Sequence, residues 1–147
     1  GSLRGAHRTL GEEAAMAESY LLLLQTRMED RLAFSIEIDP ALCRATLPPL
    51  LLQPLVENAI HHGLEPKLEG GRVTVAARRE DDDLVLTVAD DGLGFDAATK
   101  RPGNGVALAN LRQRLTARYG RQASLTLTAH HPGTVATIRL PFETDSP

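Results

Sequence analysis

The sequence predicts an α/β fold, a two-layer sandwich in which a mixed sheet lies on one side and helices on the other. Strand-like and helix-like segments follow one another along the chain, but without the regular strand-helix-strand spacing of a doubly wound sheet. Hydrophobic residues make up 42% of the 147 residues and aromatic residues only 3%, so aliphatic side chains must fill the core. This length fits one domain with a helical appendage.

Composition also limits the function classes. A net charge of −3 and the shortage of aromatic side chains argue against a dedicated nucleic-acid binder, so we expect no nucleic-acid partner. The single cysteine, Cys43, excludes an internal disulfide and fits a reducing cytoplasm. Gly1-Ser2 indicates a remnant of tag cleavage, so we expect a piece of a longer protein.

The first predicted element is a helix over residues 12–31, which contain no Gly or Pro. Thr9 and Glu12 have the T-x-x-E spacing of a capping box at its start. One face of this helix could pair with a partner helix, and packing of the helix on its own domain is the alternative. That face carries Ala15, Ser19, Leu22, Leu23 and Thr26.

The next elements are a strand and the main helix. Alternation over Leu32–Asp39 predicts the strand, which Pro40 ends. Residues 47–63 predict an apolar helix with Pro48 and Pro49 in its first turn. A proline inside it, Pro54, should bend this helix, and Gly63 should close it.

The remaining elements alternate strands with one helix. An acidic run at residues 80–83 predicts a solvated hairpin turn between two strands, and Gly120 ends an amphipathic helix. The predicted strands are Gly71–Arg79, Leu84–Asp90, Ser124–Ala129 and Thr134–Leu140, and the predicted helix is Val106–Tyr119.

A cluster of polar residues on the main helix is the first candidate site. Glu57 and His61 share one stripe of the helix, and Asn58 and His62 share a second stripe at its border. A helix that presents a carboxylate, a carboxamide and imidazoles to a cavity is suited to chemistry or binding. A solvated helix edge is the alternative.

Four segments together resemble a known family. In order they read L-P-P-L-L-L-Q-P-L-V-E-N-A-I-H-H-G at residues 47–63, V-A-D-D-G-L-G-F at 88–95, G-N-G-V-A-L-A-N-L at 103–111 and G-T-V-A-T-I-R-L-P at 133–141. This series resembles the N, G1 and G2 boxes and the terminal strand of the GHKL ATP-binding fold, also called the Bergerat fold. The first segment looks like that of the LytS-type sensor histidine kinases.

The resemblance implies a set of nucleotide contacts. It gives Asp90 the hydrogen bond from the exocyclic amine of adenine, with Thr134 in the same network. Gly92 and Gly94 let the chain approach the base closely. The other implied cofactor-binding residues are Val106, Leu108 and, near the phosphates, His61, His62, Gly103, Asn104 and Gly105.

Two further roles concern phosphoryl transfer. The resemblance makes Asn58 the Mg²⁺ ligand, and its side-chain carbonyl is a hard oxygen of the kind that Mg²⁺ prefers. Glu57 is the catalytic candidate, either orienting the incoming histidine or taking its proton. It could also be only a polar neighbour. His61 stands where the family often has lysine or arginine.

The domain organisation follows from these assignments. Residues 1–31 are expected to hold the tag remnant and a helix from the end of a dimerisation and phosphoacceptor region. Residues 32–143 form the ATP-binding catalytic domain, and residues 144–147 a tail.

The expected function is that of a two-component sensor histidine kinase, which transfers the γ-phosphoryl group of ATP to a histidine outside this chain. The expected cofactors are ATP and Mg²⁺. The expected partners are ATP or ADP, the phosphoacceptor domain of the same protein and a response regulator. The full protein should be a homodimer at the inner membrane with this domain in the cytoplasm. The alternatives are a non-catalytic nucleotide-binding module and an anti-sigma-type serine kinase of the same fold.

Overall fold

A computed structural model describes residues 7–64, 67–94 and 104–144 of the chain. The strands are β1 (Arg8–Thr9), β2 (Leu32–Ile38), β3 (Thr46–Leu47), β4 (Gly71–Glu80), β5 (Asp83–Asp90), β6 (Ser124–Ala129) and β7 (Thr134–Pro141). The helices are α1 (Leu10–Met28), α2 (Leu52–Asn58) and α3 (Asn104–Tyr119), and a π-helical turn, Ala59–Leu64, continues α2.

Five strands form one mixed sheet in the order β2-β4-β5-β7-β6. Strands β2 and β4 are parallel, and the other neighbours are antiparallel. Alternate residues of the central strands are buried on one face, where Val88 lies between Val75 and Ala136. Buried residues of the three helices join these in one hydrophobic core. The predicted two-layer α/β sandwich with a mixed sheet is confirmed.

Helix α1 begins with the predicted capping box. The Glu12 backbone N–H donates to Thr9 Oγ1 at 3.2 Å, and the Thr9 backbone N–H donates to Glu12 Oε1 at 2.9 Å. The helix packs on its own domain, because Leu10, Ala17, Leu21, Leu24 and Met28 lie in the shared core.

The opposite face of α1 is the one considered for a partner helix. Leu22 and Leu23 are 53% and 63% exposed there. Pairing through this face stays a prediction, as does the domain boundary at residue 31. No helix within the described part of the chain is both long and apolar enough to cross a membrane.

The main helix differs from the prediction. Pro48 and Pro49 precede it, since α2 begins at Leu52. Pro54 is therefore in the first turn, where a backbone N–H has no intrahelical partner, and the predicted loss of a helical hydrogen bond does not arise. Gly63 does not close the helix either, because it lies inside the π-helical turn that runs to Leu64.

In the C-terminal half, the observed strands and helix lie close to the predicted ones. Strands β4 and β5 form the predicted hairpin, and Arg139 of β7 forms ion pairs with Glu80 and Asp83, which flank the hairpin turn. Gly120 follows α3 with a φ of 60°. The small antiparallel pair of β1 and β3 was not predicted, because two residues are too few to show alternation.

Candidate functional site

A cleft opens beside α2 and the π-helical turn. Its polar lining residues are Asn58, Asp90 and Thr134, which were all predicted as site residues. Among the described residues, the rest of the lining is apolar or glycine, and it consists of Leu55, Ala59, Gly63, Val88, Leu127 and Ala136. An apolar pocket with a few convergent polar groups is the usual form of a small-molecule site.

Asp90 is the buried acid of the cleft. It is the last residue of β5, lies opposite Thr134 of β7 and is only 5% exposed. Burial raises the pKa of its carboxyl from the ordinary value of 3.8 to about 6, and the charge of Asp91 adds to this, whereas backbone hydrogen bonds from Gly92 and Thr134 oppose it. The Gly92 N–H donates to Asp90 Oδ1 at 2.9 Å. At neutral pH this carboxylate remains mostly ionised and can accept a hydrogen bond.

Two glycines bring the main chain against this carboxylate. A Cβ atom at Gly63 would lie 2.7 Å from Asp90 Oδ1, and one at Gly92 would lie 2.2 Å from the Gly63 carbonyl oxygen. The Leu93 N–H donates to that same carbonyl oxygen at 3.0 Å. Both positions therefore need glycine for close approach. From the sequence, Gly63 is predicted only to end the helix, since no spacing rule predicts a π-helical turn.

The four polar residues of the main helix lie in different surroundings. Asn58 lines the cleft and is half-buried, while Glu57 is exposed and accepts a hydrogen bond from Gln53 Nε2 at 3.0 Å. His61 is exposed and His62 is buried, and their rings meet edge to face with centroids 4.6 Å apart. Only Asn58 of this cluster joins Asp90 in the cleft lining.

The donor set for a metal is small. In residues 7–64, 67–94 and 104–144, no group of three or more His, Cys, Asp or Glu side chains could hold a metal ion. Asn58 lines the cleft, and its side chain carries one amide oxygen. This fits Mg²⁺, which keeps several waters and is usually bound by one or two protein groups together with phosphates.

The predicted phosphate segment is described only in part. Gly103 lies outside the described residues, and Asn104 is the first residue of α3. Gly105 and Val106 are exposed in the first turn of α3, whereas Leu108 is buried in the core. The roles of these residues at the phosphates stay predictions, as does that of Gly94, which is half-buried with a φ of 105°.

We expect Asp90→Asn to raise the free energy of unfolding at neutral pH in the absence of nucleotide, by about 1–3 kcal/mol. The folded-state pKa of Asp90 is raised, so the folded protein binds this proton more tightly than the unfolded chain. Wild-type stability therefore falls as the pH rises from 3.8 to about 6 and stays lower above it. Asparagine removes this loss, because it carries no charge to bury.

Denaturant unfolding at pH 5 and pH 7.5 measures this effect, with the exposed Asp82→Asn in the hairpin turn as the control. The stability difference between Asp90→Asn and wild type should grow from the lower to the higher pH. A difference that does not change with pH would show that the buried charge of Asp90 has no such cost.

The chain was compared with known families and proteins. A family model described as histidine kinase-, DNA gyrase B- and HSP90-like ATPase matches residues 46–144. The sensor protein LytS of Staphylococcus haemolyticus is 34% identical over 156 residues, which cover 97% of this chain and 27% of that protein. The sensor histidine kinase BtsS of Escherichia coli is 34% identical over 139 residues, which cover 94% of this chain and 24% of that protein. The chain thus spans about a quarter of the length of these curated relatives.

Solved structures show the same fold. The catalytic domain of histidine kinase ThkA matches with a TM-score of 0.70 at 14% identity, over 95% of this chain and 98% of that one. The mycobacterial sensor histidine kinase MprB matches with a TM-score of 0.65 at 20% identity, over 95% of this chain and 98% of that one. The family match, the similarity to LytS and these structures agree with one another. The chain belongs to the histidine kinase-, DNA gyrase B- and HSP90-like ATPase family, in which it is an ATP-binding catalytic domain of the sensor histidine kinase type.

Proposed function

We propose that ATP binds with its adenine in the cleft and that Asp90 accepts the hydrogen bond from the exocyclic amine. The observation that carries this proposal is the nearly complete burial of an acid among apolar side chains. Such burial costs free energy, and groups with strongly perturbed pKa values cluster at functional sites. Apolar walls suit the faces of a planar base, and Asp90 and Thr134 suit its polar edge.

Asn58 is the proposed protein ligand of Mg²⁺. Asn58 lines the same cleft as Asp90, so one bound nucleotide could reach both residues. The ion, when bound, neutralises charge on the phosphates of ATP. The protein's own contribution is to hold a hard oxygen at a fixed place on α2.

Glu57 is the proposed catalytic side chain. Its exposure leaves it open to an incoming side chain, and the hydrogen bond from Gln53 Nε2 holds one of its oxygens. In the proposed reaction, an imidazole nitrogen of a histidine outside this chain bonds to the γ-phosphorus and ADP leaves. Glu57 orients that imidazole or accepts its N–H proton, a modest demand because neutral imidazole is already nucleophilic.

The proposed partners follow from this reaction. They are the phosphoacceptor domain of the same protein, in a homodimer anchored at the inner membrane, and a response regulator. Histidine kinase ThkA has been solved in complex with the response regulator protein TrrA, and that kinase chain matches this one with a TM-score of 0.68. The structural likeness supports a regulator as the final acceptor here.

We expect that the chain alone does not phosphorylate itself when it is incubated with radiolabelled ATP. Transfer needs an acceptor nitrogen in line with the γ-phosphorus, within about 3–3.5 Å. His61 and His62 lie on the π-helical turn that borders the cleft, so in-line attack is unfavourable for them. The other three histidines are His7, before β1, and His130 and His131, after β6. A separate fragment that carries the proposed phosphoacceptor histidine should become labelled when the chain is added.

The outcomes of this assay separate the candidate functions. Stoichiometric labelling of His7 in the chain alone would place the acceptor inside the chain and contradict the prediction. Nucleotide binding without labelling of the histidine fragment would favour the non-catalytic module. Labelling of a serine in a partner protein would favour the serine kinase. Asp90→Ala should abolish transfer and serves as the negative control.

A further inference from the structure

The turn that leads into α2 is held by a buried carboxylate from another helix. Glu13 of α1 is only 1% exposed. Its Oε1 atom accepts hydrogen bonds from the N–H groups of Leu51 at 2.9 Å and Leu52 at 3.1 Å, and its Oε2 atom accepts one from Leu50 at 3.0 Å. Glu13 therefore satisfies three amides at the start of α2, although it lies far from them in sequence.

Two carbonyl groups of the same turn also accept hydrogen bonds from another helix. Arg114 of α3 donates from Nη1 to the Leu50 carbonyl at 2.9 Å and from Nη2 to the Pro49 carbonyl. Leu50 has a φ of 60°, a left-handed conformation that is uncommon for a residue with a side chain. Such a conformation persists where the surroundings over-determine it, and it is often found at functional sites.

The charge of Glu13 is balanced nearby. Arg8 Nε lies 3.3 Å from Glu13 Oε2, and the Arg8 side chain is partly exposed. The three amides and this cation together offset the cost of burying the carboxylate. Removing one partner of such a set leaves buried polar groups without acceptors.

The place at which α2 begins determines where its cleft-lining residues lie. Helix α2 has seven residues and ends at Asn58, so at 1.5 Å per residue its two ends are only about 10 Å apart. The π-helical turn follows at once and places Gly63 against Asp90. A displacement of Leu51 or Leu52 would therefore also move the residues that line the cleft.

We propose that Glu13 is a positioning residue for the nucleotide site: it fixes the start of α2 so that Asn58 and Gly63 meet the nucleotide, and it thereby couples α1 to the cleft. This inference rests on the proposed nucleotide function of the cleft. It extends that function to α1, whose N-terminal end would set the affinity of a cleft that α1 does not line.

The test variant is Glu13→Gln, which keeps the size of the side chain. Glutamine has one acceptor oxygen, and its NH₂ group would face an amide donor. We expect the affinity for Mg²⁺-ADP, measured by titration calorimetry, to fall about tenfold because the site is misplaced. Glu18→Gln is the matched control, since Glu18 is an exposed residue of the same helix and should leave affinity unchanged.

A second control separates positioning from stability. Leu21 of α1 is buried in the core and takes no part in the turn, so Leu21→Ala should lower the free energy of unfolding without changing the affinity of the folded protein. Equal affinity of Glu13→Gln and wild type would overturn the proposal. So would an equal loss of affinity in Glu13→Gln and Leu21→Ala. If Glu13→Gln does not fold, Glu13→Asp replaces it. Wild-type affinity in Glu13→Asp would likewise overturn the proposal.

A nucleotide-free readout keeps this proposal distinct from the proposed function. In NMR spectra of the protein without ligand, the amide signals of Asn58 and Gly63 should shift in Glu13→Gln and stay in place in Leu21→Ala. Absence of such shifts would overturn the positioning role even if nucleotide binds. Failure of wild type to bind Mg²⁺-ADP, with the shifts present, would instead contradict the proposed function of the cleft.

Discussion

Replacement of Asp90 by Ala is expected to weaken Mg²⁺-ATP binding by about 100-fold or more, beyond the range of a standard titration. The variant loses the proposed acceptor for the exocyclic amine, and a hydrogen bond to a charged group is worth about 1.5–3 kcal/mol. It also leaves the amine of a bound adenine buried without a partner. These losses add to one another, which makes this the largest single effect that we expect.

Titration calorimetry of wild type and Asp90→Ala measures the effect. Asp91→Asn is the matched control, because Asp91 Oδ1 accepts a hydrogen bond from the Arg72 N–H at 2.7 Å and an asparagine oxygen can accept it too. The control should bind with wild-type affinity. If Asp90→Ala binds as tightly as wild type, Asp90 does not contact the base.

Replacement of Asn58 by Ala is expected to remove the Mg²⁺-dependent part of ATP affinity. The loss of transfer to a separate histidine fragment should exceed the loss of binding, by about 100-fold, because a group that orients phosphates matters most in the transition state. Adenosine affinity should change little, since Asp90 and the apolar walls remain.

The measurements for this variant are ATP titrations with Mg²⁺ and with EDTA, and single-turnover transfer. Asn110→Ala, at an exposed position of α3, is the control and should behave like wild type. Transfer at the original rate in Asn58→Ala would exclude Asn58 as the metal ligand.

Much of the sheet could be predicted because apolar residues recur at every second position of its central strands. Val73 and Val75 in β4 and Leu84, Leu86 and Val88 in β5 are apolar at every second position, and all five are buried. A period of two fixes both the strand and its buried face. The site residues Asn58, Asp90 and Thr134 were predicted from ordered motifs, and the fold brings all three to one cleft.

Other features depend on contacts that the sequence pattern does not express. Within the π-helical turn, Gly63 packs against Asp90, a contact between segments that are distant in sequence. Glu13 is one acidic residue among several on α1, and only the fold places it at the start of α2. Pro54 lies in the first turn because α2 begins only at Leu52, after a turn in which Leu50 has a positive φ and Glu13 accepts three backbone hydrogen bonds.

Base discrimination tests the central proposal, that the cleft binds adenine through Asp90, most directly. Guanine carries a carbonyl oxygen where adenine carries its exocyclic amine, and a carboxylate that faces that oxygen repels it. Wild-type protein should be titrated with Mg²⁺-ADP and with Mg²⁺-GDP under identical conditions. We predict that ADP binds and that GDP binds at least about 100-fold more weakly. Equal affinities would contradict the proposal, because they would show that the protein recognises the phosphates alone.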